Sequence, residues 1–383
     1  MIKKYDLTIL KGILIFLSFF RIIYFGTLEN DILYIWYQII FYNSISAYFL
    51  LGMDNLLSYK NHLNDKNFLN VLNKLIIVSI VSQIIICFYV GFNIKYVALS
   101  SVILINTIFA NILTRIFRFY KIYTKIYFFD ISRVVLTVLV INIFHDLYYI
   151  IISEFLFSII FIFYFRYYAQ NVTKTTNMLQ SEYIKTSLLT FISNLPSSIL
   201  INISKYIIKQ DPILFNTFSF FTSTLNSLYK SSAANQIKYY NKIDSFSKLN
   251  LSSSTFNVKF FLKELIFYLI LVVFFVSFFD IIDSYLGRNI EFNMLLFISL
   301  NLLYIQYIVF GCVEYWLIKN LLKKFIKYSV VKLLILFLVF IIMKFSDFSI
   351  YSIFILYVIF VVMNILTIII FYFDRNNRSS RLW

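Results

Sequence analysis

Arg21, Arg133 and Lys205 stand inside long apolar runs, where a charge at the bilayer centre costs about 2.5 to 3.5 kcal/mol on insertion scales. Each therefore demands a chemical reason. A guanidinium grips phosphate oxygens through a bidentate fork, and an ammonium does so as a point charge, so cations in such places point to an anionic ligand. Two carboxylates accompany them: Asp130, one helical turn before Arg133, and Glu154 in the next run. Asp130 can neutralise Arg133 as an i,i+3 pair, and Glu154 can pair with Arg133 across helices. Either carboxylate is alternatively a site for a coupling ion. Lys205 has the further option of snorkelling to a nearby outer surface, whereas Arg21, about two-thirds of the way across its run, has farther to reach.

Uncharged polar residues gather in two neighbouring runs. One holds Asn194, Ser197, Ser198, Asn202 and Ser204; the next holds Asn216, Thr217, Ser219, Thr222, Ser223, Thr224, Asn226 and Ser227. One or two such side chains serve ordinary helix packing in a membrane, but this density points to a water-filled cavity bordered by Asn194, Asn216, Thr222 and Asn226. Pro196 lies inside the first of these runs and removes a backbone hydrogen bond there. A freed carbonyl at membrane depth is tolerated at a cavity or moving joint, so Asn194-Leu195-Pro196 reads as a hinge in a mobile helix, with a static kink as the alternative.

Other chemistries are excluded by what is missing. None of the six glycines forms a phosphate-cradling loop, so ATP hydrolysis is not expected. His62 and His145 are isolated, and Cys87 and Cys312 fall within apolar runs, leaving no metal spacing and no disulfide framework. The expectation is a protein that is not an enzyme, carries no cofactor and binds no nucleic acid.

These residues must be positioned by membrane helices. The chain is 61% hydrophobic with a formal net charge of +16, which is outside the range of ordinary soluble domains. A spanning helix takes about 20 apolar residues, and twelve spans are predicted near 7–28, 31–53, 71–93, 95–117, 126–144, 147–168, 183–208, 212–230, 260–282, 292–318, 326–346 and 348–373. Alternate ends of these spans collect 27 of the 34 basic residues, from Lys3 and Lys4 through Lys319 to Lys332 and on to Arg375, Arg378 and Arg381. Glu29, Asp31, Asp146, Asp211, Asp280, Asp283 and Glu291 stand at the opposite ends. Lys and Arg are retained on the cytoplasmic side during insertion, so both termini are predicted to be cytoplasmic. Thr27-Leu28-Glu29 is no small-residue cleavage site, so the first apolar run is expected to remain as a span.

The polar stretch 169–182 divides the spans into an N-terminal six-helix bundle, 1–168, and a C-terminal one, 183–373, followed by a basic tail, 374–383. Two halves of six spans are a common plan for secondary transporters, with the substrate path between them. A shift of 181 residues lays Leu33 over Leu214 and Tyr59-Lys60-Asn61 over Tyr240-Asn241-Lys242, and Asp65 or Asp244 follows in each copy.

With these features the chain resembles the Wzx-type polysaccharide flippases of the multidrug/oligosaccharidyl-lipid/polysaccharide exporter superfamily. The resemblance in topology covers the whole chain. Locally it is best where the second span ends in Leu51-Gly52-Met53-Asp54-Asn55 before Tyr59-Lys60, and where Tyr183-Ile184-Lys185-Thr186-Ser187-Leu188 precedes Pro196. It implies an all-α, MATE-like inner-membrane protein of about 12 transmembrane helices, its two bundles related by a pseudo-two-fold axis along the membrane normal. It also implies flipping of undecaprenyl-pyrophosphate-linked repeat units for O-antigen or capsule synthesis. Arg21, Arg133 and Lys205 are the positions that match the family's cationic lumen. Further implied partners are membrane lipids, H+ or Na+ as coupling ion, and the polymerase and chain-length proteins of the pathway. Two other readings share much of this architecture. A drug/ion antiporter would need acidic cavity residues for cationic drugs, and a membrane polymerase or glycosyltransferase would need a large outer loop.

Overall fold

With two prolines and six glycines in 383 residues, little in this chain interrupts a helix. The computed structural model describes residues 28–59, 65–119, 122–144, 146–169, 179–232, 258–286, 290–344 and 350–379, with scattered positions between 10 and 25. Among them every element is an α- or 3-10 helix, and none is a strand. The proposed linker at 170–178 and the end of the tail at 380–383 lie outside the described residues, and α-helix replaces tail at 374–379.

The chain divides into two compact units, residues 1–191 and 192–383. The first contains α1 (Asn30–Ser46), a 3-10 turn (Ala47–Leu50), α2 (Met53–Tyr59), α3 (Lys66–Val90), α4 (Ile94–Phe119), α5 (Tyr123–Phe144), a short 3-10 turn (Leu147–Tyr149), α6 (Ile150–Ala169) and the start of α7 (Gln180–Ile208). Local chemistry sets the ends of α3. Asp65 caps its N-terminus by accepting the Asn67 N–H at 2.9 Å, and Gly91, at φ 88°, closes the C-terminus in the left-handed region that glycine enters without a Cβ penalty. The core of the unit is built on α4, whose Leu104, Ile108, Ile112 and Ile116 are buried at helical spacing. Rings of α6 pack into it: Phe165 lies 5.5 Å from Phe109, and Phe161 lies 5.5 Å from Phe129.

The boundary between units falls inside α7, later than the 169–182 stretch suggests. The first turns of α7 are bonded to the first unit. Tyr183 donates its hydroxyl to Asp65, Ser187 donates to the Leu51 carbonyl, and Tyr48 meets Phe191 edge-on at 5.8 Å. This approach needs Gly52. Its φ is 74°, and a Cβ there would stand 3.1 Å from the Phe191 nitrogen and 3.2 Å from the Ser187 carbonyl oxygen.

The second unit contains the rest of α7, then α8 (Pro212–Ser232), α9 (Val258–Ser277), α10 (Phe279–Leu286), α11 (Met294–Lys344) and α12 (Ile350–Ser379). Phe221 of α8 centres an aromatic cluster, 5.3 Å from Phe297, 5.7 Å from Phe292 and 6.0 Å from Phe279. Two stretches expected as separate spans, 292–318 and 326–346, run as the single 51-residue helix α11. Strong helix formers fill the predicted turn, and no Gly or Pro follows Gly311 before Lys344. The helix is nevertheless bent. Tyr304 and Tyr307 of its first arm are electrostatic neighbours of Tyr357 on α12, which stands level with Phe340 because both flank Ser204–Tyr206 of α7. A straight helix would hold Tyr304 and Phe340 about 54 Å apart, so α11 folds back between its apolar arms.

The core is mainly apolar, but large apolar side chains such as Ile85, Leu334, Phe337 and Tyr351 are also exposed, and the polar Gln83, Asn106, Thr217 and Gln306 are buried. Among the described residues seven helices are long and apolar enough to cross a membrane, and Met294–Val309 forms a shorter apolar segment.

Candidate functional site

In the first unit the hairpin of α5 and α6 brings Arg133 to Glu154. Nη2 lies 2.8 Å from Oε2 and Nε lies 3.1 Å from Oε1, a bidentate fork of the kind that is strong as well as directional. Asn106, from α4, donates its amide to the same Oε2. Glu154 is 3% exposed and Arg133 22%. Asp130 remains an electrostatic neighbour of Arg133, and Arg21 has Arg133, Glu154, Asp130 and Tyr37 around it. Two cations and two carboxylates thus share one neighbourhood with a formal sum of zero. This cluster orients charge without supplying a net positive field.

A second, uncharged network joins α1, α3 and α4. Ser46 donates to Gln83 Oε1, Gln83 Nε2 to Ser100, and Ser100 to Asn43 Oδ1 at 3.0 Å. Cys87 sits beside it, 3.3 Å from Gln83 Nε2. Each bond joins side chains that would otherwise be unpaired in hydrocarbon, as interhelical polar bonds do in membranes. Sequence reasoning passed over this set because its members are scattered singly among three apolar helices.

The second unit holds two buried lysines. Lys205, on α7, is 7% exposed, and no hydrogen bond or ion pair reaches it from the described residues. Lys332 is 4% exposed, halfway along the apolar segment Leu322–Met343 of α11. It donates to Asn364 Oδ1 of α12 and lies 5.4 Å from the centre of the Phe325 ring. The charge pattern groups Lys332 with the cytoplasmic basic residues near Lys319–Lys327, whereas the structure places it inside an apolar helix of spanning length. The signal was present in its apolar flanks, Val330-Val331 and Leu333-Leu334, and was masked by the four lysines upstream.

Around Lys332 is a small polar pocket of about 30 Å³, lined by Ser193, Asn194, Pro196 and Ser197 of α7, Phe325 and Ser329 of α11, and Phe360 and Asn364 of α12, with room for a water or two. Asn194 and Pro196 both line this pocket. Asn216, Thr222 and Asn226 are not among the lining residues. Asn216 is buried within the unit, and Thr222 bonds back to the Phe218 carbonyl at 2.7 Å while its own carbonyl accepts the Tyr304 hydroxyl at 3.0 Å. The Tyr304 hydroxyl thereby joins α11 to the α8 backbone. No cluster of metal-ligating side chains occurs among the described residues.

Exposed apolar side chains and helices of spanning length define an all-α, multi-pass membrane protein. The chain matches no known protein family, and no characterised protein or solved structure shows detectable similarity to it.

Proposed function

We propose that the protein is a transporter that flips an anionic, lipid-linked glycan from the cytoplasmic to the outer leaflet of a bacterial inner membrane, the glycan being carried on undecaprenyl pyrophosphate. The observation that supports this reading is Lys205, a buried cation in a spanning helix with no hydrogen bond or ion pair from the described residues. Intramembrane ionisable groups mark ligand and ion pathways, and an ammonium answers a phosphate as a point charge. Arg133 is removed from the cationic set by its fork to Glu154, and Arg21 shares that neutral neighbourhood, so the ligand charge falls first to Lys205, with Arg21 tested beside it.

Electrical energy favours outward movement of such a cargo. The cell interior is negative, and each elementary charge crossing is worth about 2.3 kcal/mol per 100 mV. A pyrophosphate leaving the inner leaflet moves downhill, and an H+ or Na+ gradient can complete the cycle. The test is complementation of a flippase-null strain, scored as surface polysaccharide against membrane protein level. Lys205→Arg and Arg21→Lys should retain function, and Lys205→Glu and Arg21→Glu should lose it at unchanged protein level. Wild-type glycan from the double variant Arg21→Gln, Lys205→Gln would remove the cationic basis of the proposal.

A further inference from the structure

We infer that the groove between the end of α7 and the start of α12 binds one phospholipid with a primary ammonium headgroup, a phosphatidylethanolamine, its ammonium seated on the Asp211 carboxylate. The inference is independent of the cargo proposed above.

The groove has a volume of about 430 Å³ and lies wholly within the second unit. Its walls are Ile207 and Ile208 of α7, Leu214 of α8 and Ile350 of α12. Ile208 is the last residue of one helix of spanning length, and Ile350 is the first of another. The groove therefore stands where two spans leave the hydrocarbon on the same side of the bilayer. Apolar walls at that depth are covered by lipid chain in preference to water. At about 30 Å³ for a water-sized group, the space takes on the order of a dozen methylenes, a large part of one acyl chain.

The rim decides which lipid. Gln210 and Asp211, in the turn between α7 and α8, and Tyr351, which is 70% exposed, complete the lining. Asp211 is the only ionised side chain among the described lining residues. Its Oδ1 accepts the Leu214 N–H at 3.0 Å, which holds the carboxylate at the start of α8 and leaves Oδ2 to a guest. The neighbouring cation, Lys209, is turned back over the Tyr206 ring at 4.4 Å and is absent from the lining. A carboxylate at the mouth of an apolar groove attracts a headgroup that carries a cation and repels a purely anionic one. A primary ammonium brings three N–H donors for charge-assisted bonds, whereas the quaternary nitrogen of choline has none. The lipid phosphate, a few bonds from the ammonium, falls to the Gln210 amide and the Tyr351 hydroxyl, both of them donors. Tyrosine is also suited to this level of a bilayer.

The full-length protein is melted in nanodiscs of phosphatidylethanolamine or of phosphatidylcholine, with matched acyl chains and the same fraction of phosphatidylglycerol. A site for the ammonium predicts a midpoint a few degrees higher in phosphatidylethanolamine, since a ligand bound only by the folded state raises stability by mass action. Asp211→Asn should melt normally in phosphatidylcholine, because asparagine caps a helix as well as aspartate does, and should lose the phosphatidylethanolamine increment. Ile207→Trp, which fills the groove, should lose it too. Asp146→Asn changes a comparable carboxylate in the first unit, one that accepts the Tyr148 N–H at 2.9 Å, and should keep it. An increment undiminished in Asp211→Asn would belong to the bulk bilayer and would overturn the site. Equal melting of the wild-type protein in the two lipids, or loss of the increment in Asp146→Asn, would overturn it as well.

Discussion

Arg133 and Glu154 are best understood as one unit, because two fork bonds and a third bond from Asn106 saturate a carboxylate that is almost wholly buried. Removing one member strands the other. Glu154→Gln should cost about 3 to 5 kcal/mol, the usual penalty for breaking a buried pair, whereas Arg133→Met with Glu154→Met should recover most of it. Thermal melting of the three proteins in nanodiscs measures this, and transport by the double variant separates structure from coupling. Normal flux would leave the pair structural, and melting without transport would make Glu154 a coupling site. The pair was partly legible in the sequence, since Arg133 and Glu154 flank one predicted hairpin at matching depth. Asn106 was not, because nothing local says which face of α4 meets that hairpin. Lys332 was misplaced for a related reason: a charge pattern assigns a lysine to a side of the membrane by its neighbours, and only packing shows that this one enters the bundle.

Among the elements, the junction of the 3-10 turn, α2 and α7 has the least latitude. Gly52 at φ 74° occupies a region that L side chains rarely adopt, and a Cβ would press on the α7 backbone at 3.1 Å. Ala at such a position is strained as well as crowded. Gly52→Ala should lower the melting midpoint and loosen the Ser187–Leu51 bond, read as faster amide exchange at the start of α7. Gly91→Ala shares the positive φ but has open space around the added carbon, so it should cost less. Unchanged melting of Gly52→Ala would show that the close approach is not held in solution. Pro196→Ala restores a donor to the Ile192 carbonyl and should straighten α7 at the polar pocket, impairing transport at normal protein level. Full surface-glycan production by that variant would make the bend static. Most spans were legible from length and hydropathy, because a membrane helix must satisfy its own backbone. The continuity of α11 was not, since lysines mark a membrane boundary whether or not the backbone leaves the helix there.

For the whole molecule, the orientation expected in the membrane rests on where the charges stand along the sequence. With Lys332 moved into a span, 26 of the 34 basic residues still fall on one set of predicted span ends, a bias that sets orientation strongly when loops are short. On the same expectation Glu291, near the start of the first arm of α11, is at a predicted outer end, and Lys319–Lys327, between the arms, is at a predicted cytoplasmic one. Reporter fusions at residues 175, 285, 321 and 383 should therefore report cytoplasm, periplasm, cytoplasm and cytoplasm. The fusion at 321 discriminates most sharply. If α11 were straight in the membrane, its about 77 Å length could not fit a hydrocarbon core about 30 Å thick, and one arm would have to leave the bilayer. Cytoplasmic signal at 321 with periplasmic signal at both 291 and 347 would place both arms across the membrane in opposite directions. Cytoplasmic signal at 347 would mean that the second arm does not cross, and would remove Lys332 and its pocket from the membrane interior.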